Sequence, residues 1–390
     1  MAFESPARTT SMARIPSLDG LRTLSIFLVM ALHTLQRFSA THHVPFIWFS
    51  VFDGETGVFI FFVISGYLIT RLLLNEHQKR GRISLRGFYL RRAMRILPPL
   101  YAYVAVILIL GWAGRLVISR IDIISALFFF HNYVSVGMWT LEHFWTLSTE
   151  EQFYLIWPFV LLYCLRRPGP TGRLVASRVA IAVIVLSPVI RVASYQLHNP
   201  YIHNGYGFHM HADSLMFGCA LALLEGTSRF ERVYGLATKI WWIPPSLIFL
   251  SSVLNTRFHN YWMFPFGYTI CGAAIACFLL WCVRNPVSHV GRMLNARLIA
   301  HIGVLSYSMY LWQTLFLHEG NLAIFGASLR LVTIFPFNWL AILVVAELSH
   351  RLVEQPSLHL RNHLIRALHL DVVGRNSRRL AERRNDPVSN

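Results

Sequence analysis

The sequence contains few charged residues: Asp, Glu, Lys and Arg together make up 14% of its 390 residues. A soluble domain typically carries about a quarter, so this chain has too little polar surface to cover a globule in water. Apolar runs take the place of the missing charge, and the mean hydropathy is +0.48. The composition excludes an ordinary soluble protein and predicts an all-α polytopic membrane protein.

Acidic residues are especially scarce, because 18 Asp and Glu stand against 35 Lys and Arg, for a formal net charge of +17. A surplus of this size could indicate a nucleic-acid partner. The basic residues, however, fall between apolar runs and in the C-terminal tail, where the enrichment of cytoplasmic loops in Lys and Arg would place them. We therefore expect the lipid bilayer, and no nucleic acid, as the partner of these charges.

The chain also lacks the cysteine spacing of a metal site or a disulfide framework. Its five cysteines all lie in apolar stretches: Cys164, Cys219, Cys271, Cys277 and Cys282. There is no repeat of fixed period. We expect no metal site and no second folded domain.

About ten apolar segments approach the roughly 20 residues that a membrane helix needs. They lie near 18–38, 55–74, 97–114, 144–165, 177–195, 211–226, 241–255, 262–283, 298–318 and 330–352. A crossing at the apolar residues 120–136 would place the basic loop 166–173 outside, against the charge bias, so we expect a partial or re-entrant element there. Both termini then lie in the cytoplasm. The predicted parts are an N-terminal tail (1–17), a transmembrane domain (18–356) and a basic C-terminal tail (357–390).

Two ionisable residues of the first span indicate a functional site, because charge at membrane depth is expensive. Arg22 and His33 are eleven positions apart, so both project from one helix face, about 16 Å from each other. Alone, Arg22 could extend to lipid phosphates and His33 could make one interhelical hydrogen bond. Together they predict a pore with a phosphate clamp at its mouth and a base at its floor. Burial would keep the imidazole neutral and able to accept a hydroxyl proton.

A cluster of arginines, Arg91, Arg92 and Arg95, precedes Pro98 and Pro99, which we expect at the start of the third span. Such clusters usually determine topology. Guanidinium forks also suit phosphate oxygens, so the cluster predicts a nucleotide-phosphate site as well.

Two adjacent carboxylates, Glu150 and Glu151, begin an apolar span. They could be acids favoured by the helix dipole, or one of them could orient His33 or a bound hydroxyl. Ser65 lies within the run "FFVISGYLIT", next to Gly66, where small residues usually permit close helix packing. Asp213 begins another span and could be a functional acid or a cap.

These pieces, in this order, resemble the integral-membrane acyltransferase-3 family, the O-acyltransferases that modify glycans and small molecules. The resemblance covers Leu18 to Pro356. The matching segments are "DGLR" followed by Arg22-x10-His33, "GVFIFFVISGYLIT", "RRAMRILPPLY", "FWTLSTEEQFYLIWP", "ADSLMFGCAL", "IGVLSYSMYLWQ" and "LSHRLVEQP".

The resemblance implies roles for individual residues. His33 would be the essential residue of the first span, and Glu150 the important acid. Arg22, Arg91, Arg92 and Arg95 would bind the acyl-CoA donor. Possible supporting or acceptor-side residues are Asp19, Ser65, Glu151, Asp213 and Tyr307.

Three positions depart from the family pattern, and they weaken any statement about the acceptor. Phe59 stands where an acid often follows "GV", His211 where an arginine often precedes the Asp of "R-x-D", and Gln313 where "YLWH" ends in histidine. We also expect the chain to lack the SGNH-type hydrolase domain that is fused to some members.

The resulting hypothesis is a membrane-embedded O-acyltransferase, in the inner membrane of a bacterium, with no permanently bound cofactor. It would move an acyl group, most simply acetyl, from cytoplasmic acyl-CoA to a hydroxyl of a carbohydrate or lipid-linked glycan. His33 would act as the base or as a transient acyl carrier. The alternative is a proton- or ion-coupled transporter or flippase, in which Arg22, His33 and Glu150 form an ion path.

Overall fold

The computed structural model describes residues 15–134, 137–197, 205–258, 260–318 and 320–368. Over these ranges the chain forms helices and no strand. The α-helices are α1 (Leu18–Ser39), α2 (Phe46–Val51), α3 (Gly54–Arg80), α4 (Leu85–Trp112), α5 (Arg120–Leu127), α6 (Phe144–Leu165), α7 (Pro170–Gln196), α8 (Phe208–Leu224), α9 (Ser228–Ala237), α10 (Ile243–Phe258), α11 (Asn260–Trp262), α12 (Tyr268–Arg284), α13 (His289–Leu294), α14 (Arg297–Leu317), α15 (Asn321–Phe325), α16 (Phe337–Ser349) and α17 (Gln355–Ala367). Short 3-10 turns lie at His131–Tyr133, Trp139–Leu141, Thr238–Ile240 and Ala327–Thr333, and π-turns at Met263–Gly267 and His350–Glu354.

Five helical segments are long and apolar enough to cross a bilayer: Leu18–Ser39, Phe46–Arg80, Leu85–Trp112, Pro170–Gln196 and Met263–Arg284. Phe208–Leu224 is apolar but shorter. Each of the ten segments expected from the sequence overlaps a helix, but ten crossings and cytoplasmic termini stay predictions. α6 and α14 carry polar side chains that are fully buried in the bundle, such as Ser148 and Gln313.

In the described part of this segment, residues 120–134, the one α-helix is α5, with eight residues. At 1.5 Å per residue it is about 12 Å long, far less than the roughly 30 Å of a hydrocarbon core. Its last turn packs beside the 3-10 turn at His131–Tyr133, where Ser125 Oγ lies 2.7 Å from His131 Nδ1. The segment therefore does not cross as a single helix, in agreement with a partial element.

α4 begins earlier than the double proline suggests. Ser84 caps the helix by accepting a hydrogen bond from the Gly87 amide (3.2 Å), and the helix continues through Pro98 and Pro99 to Trp112. The expectation that the prolines start the span is therefore wrong. The arginine cluster lies inside the helix, so its side chains project from fixed positions around the helix axis.

The C-terminal end is also more regular than a tail. The chain continues from α16 through a π-turn into α17, which has Pro356 in its first turn and a buried Ile365. The first part of the expected tail 357–390 is therefore a packed helix. Residues 369–390 and 1–14 lie outside the described residues.

Helix directions bring most of the arginines to one end of the bundle. α1, α4 and α14 begin at this end, while α3, α6, α8 and α12 finish there. Ion pairs across helix ends, such as Arg91 with Glu76, mark it. We call this end the basic face and the opposite end the far face.

α3 and α8 cross at very close range. A Cβ atom on Gly66 would lie 1.9 Å from the Leu215 carbonyl oxygen, and one on Gly218 would lie 2.1 Å from the Val63 carbonyl oxygen. Only glycine permits this approach of two backbones. The contact fixes α3, which carries Ser65, against the rest of the bundle.

Candidate active site

Two of the cavities in the bundle hold most of the sequence-predicted site residues, one towards each face. The first, the basic-side cavity, has a volume of about 100 Å³ and is enclosed by α1, α3, α4, α6 and α14. Its polar lining comprises Arg22, Ser65, Arg92, Arg95, Thr146, Glu150, Tyr154, Ser306, Tyr307 and Tyr310. Most of the sequence-predicted site residues therefore meet in one place.

Three guanidinium groups give the basic-side cavity its positive charge. Arg22 donates a hydrogen bond to Asp19 Oδ1 (2.8 Å), which orients it from the first turn of α1. The Arg92 guanidinium lies over the Tyr154 ring, 4.5 Å from its centroid, in a cation–π contact. Arg95 completes the group. These charges suit an anionic ligand.

Glu150 belongs to the basic-side cavity and is held by two hydroxyl groups. Ser65 Oγ donates to Glu150 Oε1 (2.7 Å), and Tyr154 donates to Ser65 Oγ (2.8 Å) and to Glu150 Oε2 (3.5 Å). His33 is not among these partners. Glu150 thus lies with the arginines, and its predicted role of orienting His33 finds no contact in this arrangement.

The second cavity, the far-side cavity, is larger, with a volume of about 450 Å³. His33 lines it together with residues from the α5–α6 connection and from the end of α14. His33 Nδ1 lies 3.1 Å from Gln36 Oε1. Because an amide oxygen only accepts hydrogen bonds, Nδ1 carries the proton and Nε2 is left to accept one.

The two cavities meet at Val58 and Tyr310, which line both. The Tyr310 hydroxyl lies 2.6 Å from Thr146 Oγ1 and donates to the His143 carbonyl oxygen (3.1 Å). Arg22 and His33 share one face of α1, as expected, but line different cavities. The single pore predicted from the sequence is therefore two chambers that adjoin at Val58 and Tyr310.

Arg91 does not line either cavity, unlike the other arginines of its cluster. It donates to Glu76 Oε2 (3.1 Å) at the basic face, and Glu76 also accepts from the Ser84 amide (3.0 Å). Arg91 thus fixes the turn between α3 and α4.

Asp213 lies outside both cavities, in a fully buried ion pair with Arg191 (2.9 Å). Arg191 also donates to the carbonyl oxygens of Phe264 and Met210 (2.8 Å each), and Thr269 Oγ1 donates to Asp213 (2.6 Å). The pair ties α7, α8 and α12 together. Its geometry is that of a structural link, and neither cavity receives the acid.

Two other candidates have different surroundings. Tyr307 lines the basic-side cavity and donates to the Ile96 carbonyl oxygen (2.9 Å), beside the α4 prolines. Glu151 is partly buried, and among the residues that the structure covers its Oε1 has no hydrogen-bond partner.

Several residues of the far-side cavity were not found from the sequence. They are Gln36, Arg37, Glu55, Trp139, Glu142, His143, Trp145, Thr314 and His318. Trp139 stacks on His318 and Trp145 on Tyr206, with ring centroids 4.3 and 4.7 Å apart. Glu55 could have been found by the criterion that selected Glu150, because it too is an ionisable residue directly before an apolar run.

Comparison with known proteins gives a family for the chain. The sequence model of the acyltransferase domain matches residues 15–346. The peptidoglycan O-acetyltransferase OatA of Listeria monocytogenes is 30% identical over 375 residues, which covers 90% of this chain and 57% of that protein. The O-acetyltransferase OatA of Staphylococcus aureus is 28% identical over 362 residues, covering 88% and 57%.

The chain thus spans little more than half the length of these relatives. No solved structure matches it. The family match covers most of the chain and every helix that encloses the two cavities. The chain belongs to the acyltransferase domain family.

Proposed function

We propose that the protein is a membrane O-acyltransferase that moves an acyl group, most simply acetyl, from acyl-CoA to a carbohydrate hydroxyl. The main observation in support is that two cavities with different polar linings adjoin at Val58 and Tyr310. One holds three arginines and the other a histidine with an available Nε2. This arrangement suits a donor and an acceptor that approach from opposite faces.

In this proposal the basic face lies in the cytoplasm, where Lys and Arg accumulate. The ten apolar helical segments all cross the membrane, the bacterial inner membrane, and both termini are cytoplasmic. Acyl-CoA then enters from the side that contains it. Arg22, Arg92 and Arg95 attract its anionic groups towards the basic-side cavity.

The chemistry needs a base near the acceptor hydroxyl. His33 Nε2 takes the hydroxyl proton while the oxygen attacks the thioester carbon; the carbon–sulfur bond breaks, and the proton passes to the departing thiolate. The reaction yields an ester and free CoA. An acyl group carried transiently on His33 gives the same products.

The far-side cavity supports a carbohydrate acceptor. Aromatic rings such as Trp139 and Trp145 offer flat apolar surfaces, and Glu55 and Glu142 offer acceptors for hydroxyl groups. The printed name of the Listeria relative specifies peptidoglycan. A peptidoglycan sugar is therefore the acceptor that we propose to test first.

The test uses the purified protein in nanodiscs, with radiolabelled acetyl-CoA and a soluble chitooligosaccharide or muropeptide as the acceptor. His33→Gln should lower acetyl transfer at least about 100-fold, since general-base catalysis contributes roughly 10²–10⁴. His42→Gln is the matched control, because His42 is exposed just beyond α1.

Unchanged transfer by His33→Gln would overturn the assigned base. A transporter would instead move its solute across a sealed vesicle while the thioester stays intact. Mass spectrometry of surface glycans from cells with and without the protein, read for a lost acetyl mass, would identify the acceptor.

A further inference from the structure

Among the described residues, the two cavities share a single polar side chain, that of Tyr310. The other residue that lines both is Val58, which offers no hydrogen-bonding atom in its side chain. The Tyr310 hydroxyl can donate one hydrogen bond. In the proposed function, the acceptor oxygen and the thioester carbon must come together where the cavities adjoin. Tyr310 is thus the shared side chain that can donate to the reacting atoms.

Tyr310 is partly buried and is held from both cavities. Its ring meets the Phe61 ring edge to face, with centroids 6.1 Å apart, and the His143 imidazole at 5.5 Å. Its hydroxyl lies 2.6 Å from Thr146 Oγ1 and donates to the His143 carbonyl oxygen (3.1 Å). Phe61 and Thr146 line the basic-side cavity, and His143 lines the far-side cavity. These contacts fix the Tyr310 hydroxyl at the junction.

Thr146 allows the Tyr310 proton to change its acceptor. Thr146 Oγ1 donates to the same carbonyl oxygen of His143 (2.9 Å). When the Tyr310 O–H bond turns towards a ligand, this carbonyl oxygen therefore keeps a donor. The turn avoids the cost of a buried acceptor that has lost its hydrogen bond. The protein thus positions the Tyr310 hydroxyl without requiring its proton.

The beginning of α6 favours negative charge at the same place. α6 is a helix of 22 residues that starts at Phe144, so Thr146 lies in its first turn. The N-terminal end of a helix carries a partial positive charge. Negative charge that develops beside Thr146 and Tyr310 is therefore stabilised by the helix dipole as well as by a hydroxyl group.

Attack on a thioester places negative charge on its carbonyl oxygen. The acceptor oxygen bonds to the carbon while His33 takes its proton, and the π electrons of the C=O bond move onto the carbonyl oxygen. They re-form the double bond when the carbon–sulfur bond breaks, and the thiolate that leaves receives the proton. We propose that the Tyr310 hydroxyl donates a hydrogen bond to this oxygen, which makes Tyr310 a catalytic residue. This rests on the proposed function.

The first experiment measures acetyl transfer by the full chain in nanodiscs, with radiolabelled acetyl-CoA and a chitooligosaccharide acceptor. Tyr310→Phe removes only the hydroxyl group and keeps the ring. It should lower kcat at least about 100-fold, the effect of losing one donor to such an oxygen. The KM for acetyl-CoA should change little, because the interaction forms in the transition state. Tyr101→Phe, at an exposed position of α4, is the control and should retain wild-type kinetics.

A donor analogue with sulfur in place of the thioester carbonyl oxygen isolates the proposed hydrogen bond, since sulfur is a weaker acceptor. The wild type should prefer acetyl-CoA to this dithioester at least about tenfold more strongly than Tyr310→Phe does. The comparison between the two proteins cancels the intrinsic reactivities of the two donors. A purely structural role of the hydroxyl would lower transfer from both donors equally.

Thr146 gives an independent test that keeps the Tyr310 hydroxyl in place. In Thr146→Val, the His143 carbonyl oxygen has only the Tyr310 proton left to accept. The kcat should therefore fall about fivefold, the factor that one hydrogen bond is worth. Thr146→Ser keeps the hydroxyl group and should recover most of the loss. Equal kcat values for the Val and Ser variants would contradict the proposal.

The donor role and the proposed function can fail separately. Normal transfer by Tyr310→Phe would refute the donor role alone, as would an equal preference for oxygen over sulfur in both proteins. An acetyl ester on Tyr310, found by mass spectrometry of a quenched reaction, would also overturn it, because the hydroxyl would then carry the acyl group. A wild type that transfers no acetyl group would refute both proposals.

Discussion

Arg191 and the arginines that line the basic-side cavity differ in what satisfies their charge. Arg191 is fully buried, and its donors reach Asp213, Thr269 and two backbone carbonyl oxygens. Arg92 instead rests on the Tyr154 ring, and among the residues described in the structure Arg95 has no ion pair. A guanidinium group whose donors are all hydrogen-bonded within the protein holds helices together. One whose donors lack protein acceptors can donate to a ligand. The difference separates Arg191, which links helices, from the arginines that we propose to bind the donor.

Asp213→Ala should produce the largest effect, because it leaves the Arg191 charge buried without a partner. Breaking a buried pair costs about 3–5 kcal/mol, so thermal unfolding in detergent should occur at a clearly lower temperature. The double variant Arg191→Met, Asp213→Leu is the control and should recover much of the stability, since it removes both charges. A normally stable Asp213→Ala protein without acetyl transfer would instead make Asp213 part of the active site.

Arg95→Gln should have the opposite signature, with little change in the unfolding temperature and a large loss of acetyl transfer. Loss of a hydrogen bond to a charged group costs about 1.5–3 kcal/mol, or roughly 10- to 100-fold in kcat/KM for acetyl-CoA. Arg86→Gln, an exposed position on the same helix, should retain wild-type kinetics. A strongly destabilised Arg95→Gln protein would contradict the division between the two groups.

Ser65→Ala should have the smallest effect. It removes the hydroxyl that links Glu150 to Tyr154, and one hydrogen bond is worth about 1 kcal/mol. Acetyl transfer should fall about fivefold, whereas Ser246→Ala, on the exposed side of α10, should not change it. Unaltered transfer by Ser65→Ala would mean that Glu150 needs no positioning by this hydroxyl.

The helices could be predicted because the length and hydropathy of an apolar segment are properties of that segment alone. Length and hydropathy located both ends of α1 and the beginning of α3 to within one residue, whereas α3 continues past the predicted segment to Arg80. The joint projection of Arg22 and His33 also followed from spacing along one helix. The local sequence pattern gave the wrong start for α4, which was expected at Pro98 and Pro99. The helix begins earlier, directly after the Ser84 cap.

Contacts between helices were not predictable from spacing. Arg191 and Asp213 are 22 positions apart on different helices, and neither residue specifies the other. Phe59 and His211 departed from the family pattern at separate places in the sequence. Their rings lie 5.7 Å apart, and His211 also lies 5.0 Å from the rings of Trp145 and Tyr268. The two departures are one aromatic cluster, which only the packing of α3 on α8 reveals.

The glycine crossing of α3 and α8 limits how the centre of the bundle can open. α3 contributes Val58, one side of the constriction between the two cavities, and its backbone already touches that of α8 at Gly66. α3 therefore cannot move towards α8 to make room for a ligand. Any widening of this junction is thus expected to involve the Tyr310 side chain on α14, which lines both cavities from the other side. In the proposed function, the room that this side chain can give would limit the size of the acyl group that reaches the acceptor.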